Sequence, residues 1–318
     1  MKEIEISEIS EFKIGHANDP AGATGCTAII CPDGAVTGCD VRGGGPATRE
    51  TPLLDPVKNA QAVHCVMLSG GSAYGLAAGD GAMKYLEENG IGYVLGAYTI
   101  PLVVGASIFD LAVGKEGIRP DKEMGFEACR NAFSESGSIE QGNVGAGTGA
   151  TVGKINGPNY AMKSGLGIWA CETEGVKVGA IAVVNALGDI KVDGRIIAGC
   201  RDSKGGFEDT DKVLRSRIKS EMMINRENTT LICMITNAKI TKSQAAKISQ
   251  IMHDGMAKSI SPLHTSADGD TTFCMASGKI EVNTDSLGAI ADHAAKQAII
   301  NAALNAEASY GLPAAKDL

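Results

Sequence analysis

Arg226-Glu227-Asn228-Thr229-Thr230-Leu231-Ile232-Cys233-Met234-Ile235 is the stretch on which the reading of this chain turns. A polar turn runs into an apolar strand, and a threonine stands at the strand's first residue, directly after an asparagine. If the Asn228–Thr229 bond breaks, Thr229 gains a free α-amine beside its own hydroxyl. That pair is a complete nucleophile-and-base unit, because the amine can take the hydroxyl proton without a histidine. An α-amine titrates near roughly 7.7–8.0, so part of it is unprotonated and basic at neutral pH. The plainer reading of the same residues is a loop entering a core strand. Asn228-Thr229-Thr230 also matches an N-glycosylation acceptor, which requires a secreted protein.

Nothing else in the chain points to secretion. Met1-Lys2-Glu3-Ile4-Glu5 opens with charge and no apolar run, so no signal peptide is expected. The nine cysteines fall mostly inside apolar runs, form no C-x-x-C pair, and are odd in number. They read as small buried residues of a reducing cytoplasm rather than as a disulfide framework or a zinc cluster. His16, His64, His253, His264 and His293 have no metal-ligand spacing, so neither a metal nor another cofactor is expected. A formal net charge of -8 argues against nucleic acid and anionic membranes as partners. No apolar run is long enough to span a bilayer.

The 318 residues suffice for one large or two ordinary domains. With no low-complexity linker and no repeat, a single domain over 1–318 is expected. The 41 glycines stand at turns and strand ends, which suggests tight connections and close layers. Short β-branched runs predict strands near 24–31, 35–42, 62–69, 92–97, 101–106, 165–172, 176–185 and 189–193. Helical spacing predicts helices over Ser72–Glu88 and Asp121–Phe133. The polar segment 198–227 reads as a surface excursion. After it come a strand (Thr230–Ile235), a helix (Thr241–Ser259, with Thr241 and Gln244 as a capping box), a strand (Thr272–Met275) and a helix (Ser286–Ala308). Strands and helices segregated in blocks indicate a layered α+β sandwich rather than a Rossmann array.

Two further clusters carry candidate chemistry. Asp268-Gly269-Asp270 places two carboxylates on one tight turn, fit either for an Asx turn or for holding an N-terminal amine. Gly145-Ala146-Gly147-Thr148-Gly149-Ala150-Thr151-Val152-Gly153-Lys154 superficially suggests a phosphate loop. Ile155 follows the lysine, so the hydroxyl that would hold magnesium is missing and an ATPase reading fails. Lys154 is more attractive as a cation near a nucleophile, where it lowers the pKa of an α-amine.

Taken in order, these residues resemble the L-aminopeptidase/D-amidase-esterase family, which includes β-peptidyl aminopeptidases and nylon-oligomer hydrolases. The resemblance runs nearly end to end, through Gly15-His16-Ala17, Gly22–Thr27, Val41–Glu50, Ser69–Leu76, the Gly145–Lys154 run, Val184–Asp189, Asn228-Thr229-Thr230 and Asp268-Gly269-Asp270. It implies a four-layer αββα sandwich, related to the N-terminal-nucleophile hydrolases but with distinct strand connectivity. It implies a precursor that cuts itself at Asn228/Thr229 into an α segment, 1–228, and a β segment, 229–318. It also implies a homo-oligomer, tetramer or larger, acting on small peptides, amides or esters through an acyl-enzyme. By matching motif, Thr229 is the nucleophile and Asn185 donates to the oxyanion, a contact worth roughly 3–4 kcal/mol in acyl transfer. Lys154, Asp268 and Asp270 correspond to charged groups of the nylon-oligomer branch. The aminopeptidase branch uses instead a serine nucleophile, a serine/glutamate pair and a tyrosine near the oxyanion. The corresponding Ser107-Ile108-Phe109-Asp110 has no tyrosine. Two other readings stand beside this one: an acyltransferase similar to ornithine acetyltransferase, which shares an Asp-Gly-Asp-Thr run, and an uncleaved ligand-binding protein.

Overall fold

The computed structural model describes residues 1–134, 139–219 and 228–318. In chain order its main elements are β1 (Lys13–Asp19), β2 (Thr24–Val41), β3 (Val63–Ser69), α1 (Ala78–Glu88), β4 (Val103–Ser107) and α2 (Lys122–Ala132). There follow β5 (Leu166–Thr173), β6 (Val176–Asn185), β7 (Thr229–Lys239), α3 (Lys242–Ala257), β8 (Thr271–Glu281) and α4 (Thr284–Leu304).

Period-two alternation sorts these strands into two packed sheets. In the order β5-β6-β7-β8-β2, the first is antiparallel except for the parallel pair β7/β8. The second runs β1-β2-β3-β4. On β7, Leu231, Cys233 and Ile235 face the space between the sheets, where they join Ile29, Val66 and Leu68. The alternate residues Ile232 and Met234 face the other way, onto Ile248 and Met252 of α3 and Ala291 and Ala298 of α4. On the far side, Ala28, Ile30, Cys65 and Met67 pack against Ala78, Ala82 and Leu86 of α1 and Ala128 of α2. Three apolar layers between four layers of structure make the αββα sandwich the sequence implies. Each large side chain buried this way contributes about 1.5–3 kcal/mol.

The layers lie close because small residues face each other. A Cβ on Gly38 of β2 would stand 2.3 Å from the Ala245 carbonyl carbon, so α3 rests directly on the sheet there. Side chains start α2, α3 and α4: Asp121 accepts from Met124 N–H, Thr241 and Gln244 form the expected capping box, and Asn283 accepts from Ser286 N–H.

Several expectations are corrected. Residues 24–31 and 35–42 are not two strands but one, β2, whose register shifts between Ile30 and Ala35. Pro32-Asp33-Gly34 carries turn chemistry, and Gly34 has φ +79°, but the chain bulges and continues instead of reversing. The first half of β2 therefore pairs in the second sheet and the second half in the first. The helix expected over Ser72–Glu88 is a four-residue turn, Ser72–Gly75, followed by α1. The strand near 92–97 is a small hairpin, Tyr93–Leu95 with Tyr98–Ile100. The polar excursion begins where a strand, Arg195–Ala198, ends and contains a helix, Thr210–Ser216; its last residues, 220–227, fall outside the described residues. All nine cysteines are free thiols, and among the described residues no helix is long and apolar enough to cross a membrane.

Strand direction decides where chemistry can gather. Because β6 is antiparallel to β7 and β7 is parallel to β8, the end of β6 meets the starts of β7 and β8 at one edge of the sandwich.

Candidate active site

Thr229 is the first residue of β7, and the ladder pairs it directly with Asn185, the last of β6. It shares the parity of Leu231, Cys233 and Ile235, so its side chain lies on the inter-sheet side. Its hydroxyl donates to the carbonyl oxygen of Asn228, the group a self-cleavage would attack. The same oxygen accepts the Gly269 N–H at 2.9 Å, within a bridge between Asn228 and Asp268. A Cβ on Gly269 would stand 2.7 Å from Thr229 Oγ, so only glycine lets the Asp268–Asp270 turn come this near the hydroxyl.

Asn185 is fully buried and its orientation is fixed by donors that cannot accept. Its Oδ1 accepts from Thr151 N–H at 3.0 Å and from Lys154 Nζ at 2.9 Å, and Lys154 also donates to the Asn185 carbonyl at 3.1 Å. The amide nitrogen is thus turned the other way, donating to the Phe109 carbonyl at 2.9 Å. The end of the glycine-rich run therefore delivers a cation and a backbone donor to the residue beside Thr229.

The two carboxylates are held apart by different partners. Asp268 Oδ2 accepts Thr265 N–H at 2.7 Å and Thr265 Oγ at 2.6 Å. Burial, and then the charge of Asp270, push its carboxyl up to about 6, while the Thr265 hydrogen bonds and the Lys154 cation pull the other way. Asp270 is fully buried and meets β7 one residue past Thr229, accepting Thr230 N–H at 2.7 Å on Oδ1. Its Oδ2 accepts from His264, through the backbone N–H at 3.1 Å and ring Nδ1 at 2.8 Å. Against that ring, edge to face at 4.7 Å, lies His253, which burial pushes down to about 4. Gly43-Gly44-Gly45 cradles the whole turn: Gly45 N–H donates to the Asp268 carbonyl at 2.8 Å and Gly43 N–H to that of Asp270 at 3.4 Å.

Next to Lys154 and Thr151 opens a cavity of about 440 Å³, whose walls include Phe109, Val113, Tyr310 and Leu312. Asp110 also lines it, accepting Thr24 Oγ and Gly71 N–H at 2.7 Å each. Burial pushes Asp110 up to about 6 and the wholly buried Lys163 down to about 7, and their mutual attraction opposes both shifts. No tyrosine replaces Phe109; Tyr310, from the C-terminal segment, is the phenol in the cavity wall, and its hydroxyl donates to the Pro20 carbonyl at 3.0 Å.

The structure thus gathers Thr229, Asn228, Asn185, Lys154, Asp268 and Asp270 at one place. Sequence reasoning did not find His264, His253, the Gly269 N–H or the Asp110–Lys163 pair. The histidine spacing speaks only to metal binding, and a backbone donor leaves no residue-type signal. Among the described residues no His/Cys/Asp/Glu group is arranged to hold a metal ion.

Residues 5–315 match the model of peptidase family S58. An uncharacterized aminopeptidase of Mycobacterium leprae is 35% identical over 97% of this chain and 92% of its own length. A 6-aminohexanoate-oligomer endohydrolase of Kocuria sp. is 29% identical over 91% of this chain and 83% of its own. Among solved structures, the L-aminopeptidase D-Ala-esterase/amidase of Ochrobactrum anthropi, a variant of the Ntn hydrolase fold, superposes with a TM-score of 0.69 at 15% identity. That superposition covers 95% of this chain and 86% of that one, a likeness of fold.

Proposed function

The chain belongs to peptidase family S58, and we propose that it is a self-processing amide hydrolase whose nucleophile is Thr229. Aminopeptidase or amidase chemistry follows from the family; the nucleophile and the self-cleavage are our reading. The observation that carries it is the meeting of the Thr229 hydroxyl, the Asn228 carbonyl and the Gly269 N–H, with Asn185 directly across the ladder.

Self-cleavage starts with Thr229 Oγ attacking the Asn228 carbonyl carbon. The C–O bond forms, the C–N bond breaks, and the departing α-amine takes the proton, leaving an ester. Water hydrolyses the ester, freeing the Asn228 carboxylate and the Thr229 hydroxyl and dividing the single 1–318 unit into segments 1–228 and 229–318. In the mature enzyme the α-amine of Thr229 takes the hydroxyl proton and Oγ attacks a substrate amide or ester. The C–N or C–O bond to the leaving group breaks as the amine passes it the proton, and water then hydrolyses the acyl-enzyme, releasing the acid and restoring the hydroxyl. Asn185 then stabilises the oxyanion, Lys154 keeps the α-amine unprotonated, and Asp268 and Asp270 favour a substrate with a free amino end. No cofactor is needed. An acyltransferase and a non-catalytic binding protein both fit a peptidase family less well.

The reading is tested by denaturing mass spectrometry and by assaying amino-acid amides, short α- and β-peptides and 6-aminohexanoate oligomers. Fragments meeting at Asn228/Thr229, together with amine release from at least one of these, are expected. One intact 318-residue chain, inert to all of them, would reject it.

We place the enzyme in the cytoplasm, as a homo-oligomer of αβ protomers, tetramer or larger. Besides family resemblance, the support is the hairpin Tyr93–Leu95/Tyr98–Ile100. Tyr93, Val94, Leu95 and Tyr98 each expose more than half their surface. A two-stranded apolar hairpin is marginal in water without a cover. Light scattering at low micromolar concentration should give at least a fourfold multiple of 32.7 kDa, with both segments co-eluting. A monomer mass would reject the assembly.

A further inference from the structure

His264 has no part in the mechanism above, yet its conformation is one a side chain resists. Its backbone lies in the left-handed region at φ +57°. A residue with a Cβ is strained there, whereas glycine is at ease and asparagine nearly so. Strain of this kind persists where surrounding contacts demand it. Here the contacts converge on one atom: the His264 backbone N–H and ring Nδ1 both reach Asp270 Oδ2, at 3.1 and 2.8 Å. A carboxylate oxygen only accepts, so Nδ1 carries the proton. Nε2 is buried and has no partner among the described residues, so the ring's one hydrogen bond there is the one to Asp270. The ring is backed by His253, whose own Nε2 lies 3.3 Å from the Asp40 carbonyl and 3.4 Å from Thr272 Oγ.

We propose that His264 is a positioning residue that acts through Asp270. By occupying Oδ2 it turns Oδ1 onto the Thr230 N–H, which fixes the peptide unit leading out of Thr229. The inference rests on Thr229 being the nucleophile. It matters already in the uncleaved chain, where the Thr229 hydroxyl must be kept on the Asn228 carbonyl. A drift of about 1 Å in a reacting group costs on the order of 10² in rate.

The test compares His264→Gly with His264→Asn in full-length chains made by cell-free synthesis. The appearance of fragment 229–318 is followed by denaturing mass spectrometry, and folding is checked by circular dichroism. Both replacements tolerate the backbone angle, but only asparagine offers an N–H near the place of Nδ1. Self-cleavage should slow about 10–100-fold in the glycine variant and stay within about threefold of wild type in the asparagine variant. A purely packing role for the ring would impair both alike. The inference is overturned if the glycine variant cleaves as fast as wild type, or if a folded asparagine variant is as slow as the glycine one. Should the glycine variant not fold, the asparagine variant decides: near wild-type cleavage supports the inference, and a tenfold loss overturns it. A wild-type chain that never cleaves at Asn228/Thr229 sinks the nucleophile reading and this inference with it. Normal wild-type cleavage beside an unaffected glycine variant sinks this inference alone.

Discussion

Thr229→Ala should remain one intact 318-residue chain and hydrolyse no amide. In the proposed mechanism both reactions draw on the same hydroxyl, so a single atom's removal should abolish both rather than slow one. The fold should survive. Thr229 is almost fully buried but stands at the end of β7, and its ladder partner Asn185 pairs through backbone groups that alanine keeps. The lost hydroxyl donates to Asn228 O, which still accepts the Gly269 N–H, so no buried carbonyl is orphaned. A stability change within about 1–2 kcal/mol is expected from thermal unfolding. Thr229→Ser is the matched control, since it restores the hydroxyl and loses only a methyl group; it should cleave and turn over. Fragments ending at 228 in the alanine variant, or amide hydrolysis by its intact chain, would remove Thr229 from the centre of the mechanism.

The sequence shows which residues carry chemistry more readily than it shows which of them meet. Thr229 is legible because asparagine, threonine and an apolar strand follow one another locally, and Asp268-Gly269-Asp270 because two carboxylates flank one glycine. The layered α+β class is legible in the block order of strands and helices, while the four-layer αββα arrangement comes from resemblance to a family. The continuous apolar run Leu231-Ile232-Cys233-Met234-Ile235 is explained by a strand covered on both faces. That Asn185 pairs with Thr229 is not legible from spacing. The register depends on β6 ending where β7 begins, across the whole polar excursion; resemblance to a family singles out Asn185 but not its place across the ladder. Pro32-Asp33-Gly34 misled for a physical reason, since a bulge and a hairpin turn call for the same residues. His264 is not legible because what we propose for it lies in one backbone angle and two hydrogen bonds to a residue six positions on.

Asn185→Ala should lower turnover by about 10²–10³ if its amide stabilises the oxyanion. The structure adds a second expected effect. Asn185 Oδ1 accepts from Lys154 Nζ and from the buried Thr151 N–H, so alanine removes an acceptor from each, though Lys154 keeps the Asn185 carbonyl, and should cost roughly 1–3 kcal/mol of stability. A slow alanine variant is therefore ambiguous between a missing donor and a displaced Lys154. Asn185→Asp separates the two. It keeps an oxygen facing Lys154 and Thr151, so the glycine-rich run stays anchored, but it replaces the amide N–H groups with an acceptor. The new oxygen also faces the Phe109 carbonyl, to which the amide donates in wild type, so the aspartate variant should lose stability too. In its folded fraction turnover should fall at least as far as in the alanine variant, because the second carboxylate oxygen repels a developing oxyanion. Self-cleavage should suffer less than turnover in both variants, since the Asn228 carbonyl already has the Gly269 N–H as a donor. Wild-type turnover in a folded aspartate variant would mean that the oxyanion is held by other groups and that Asn185 serves only to seat Lys154.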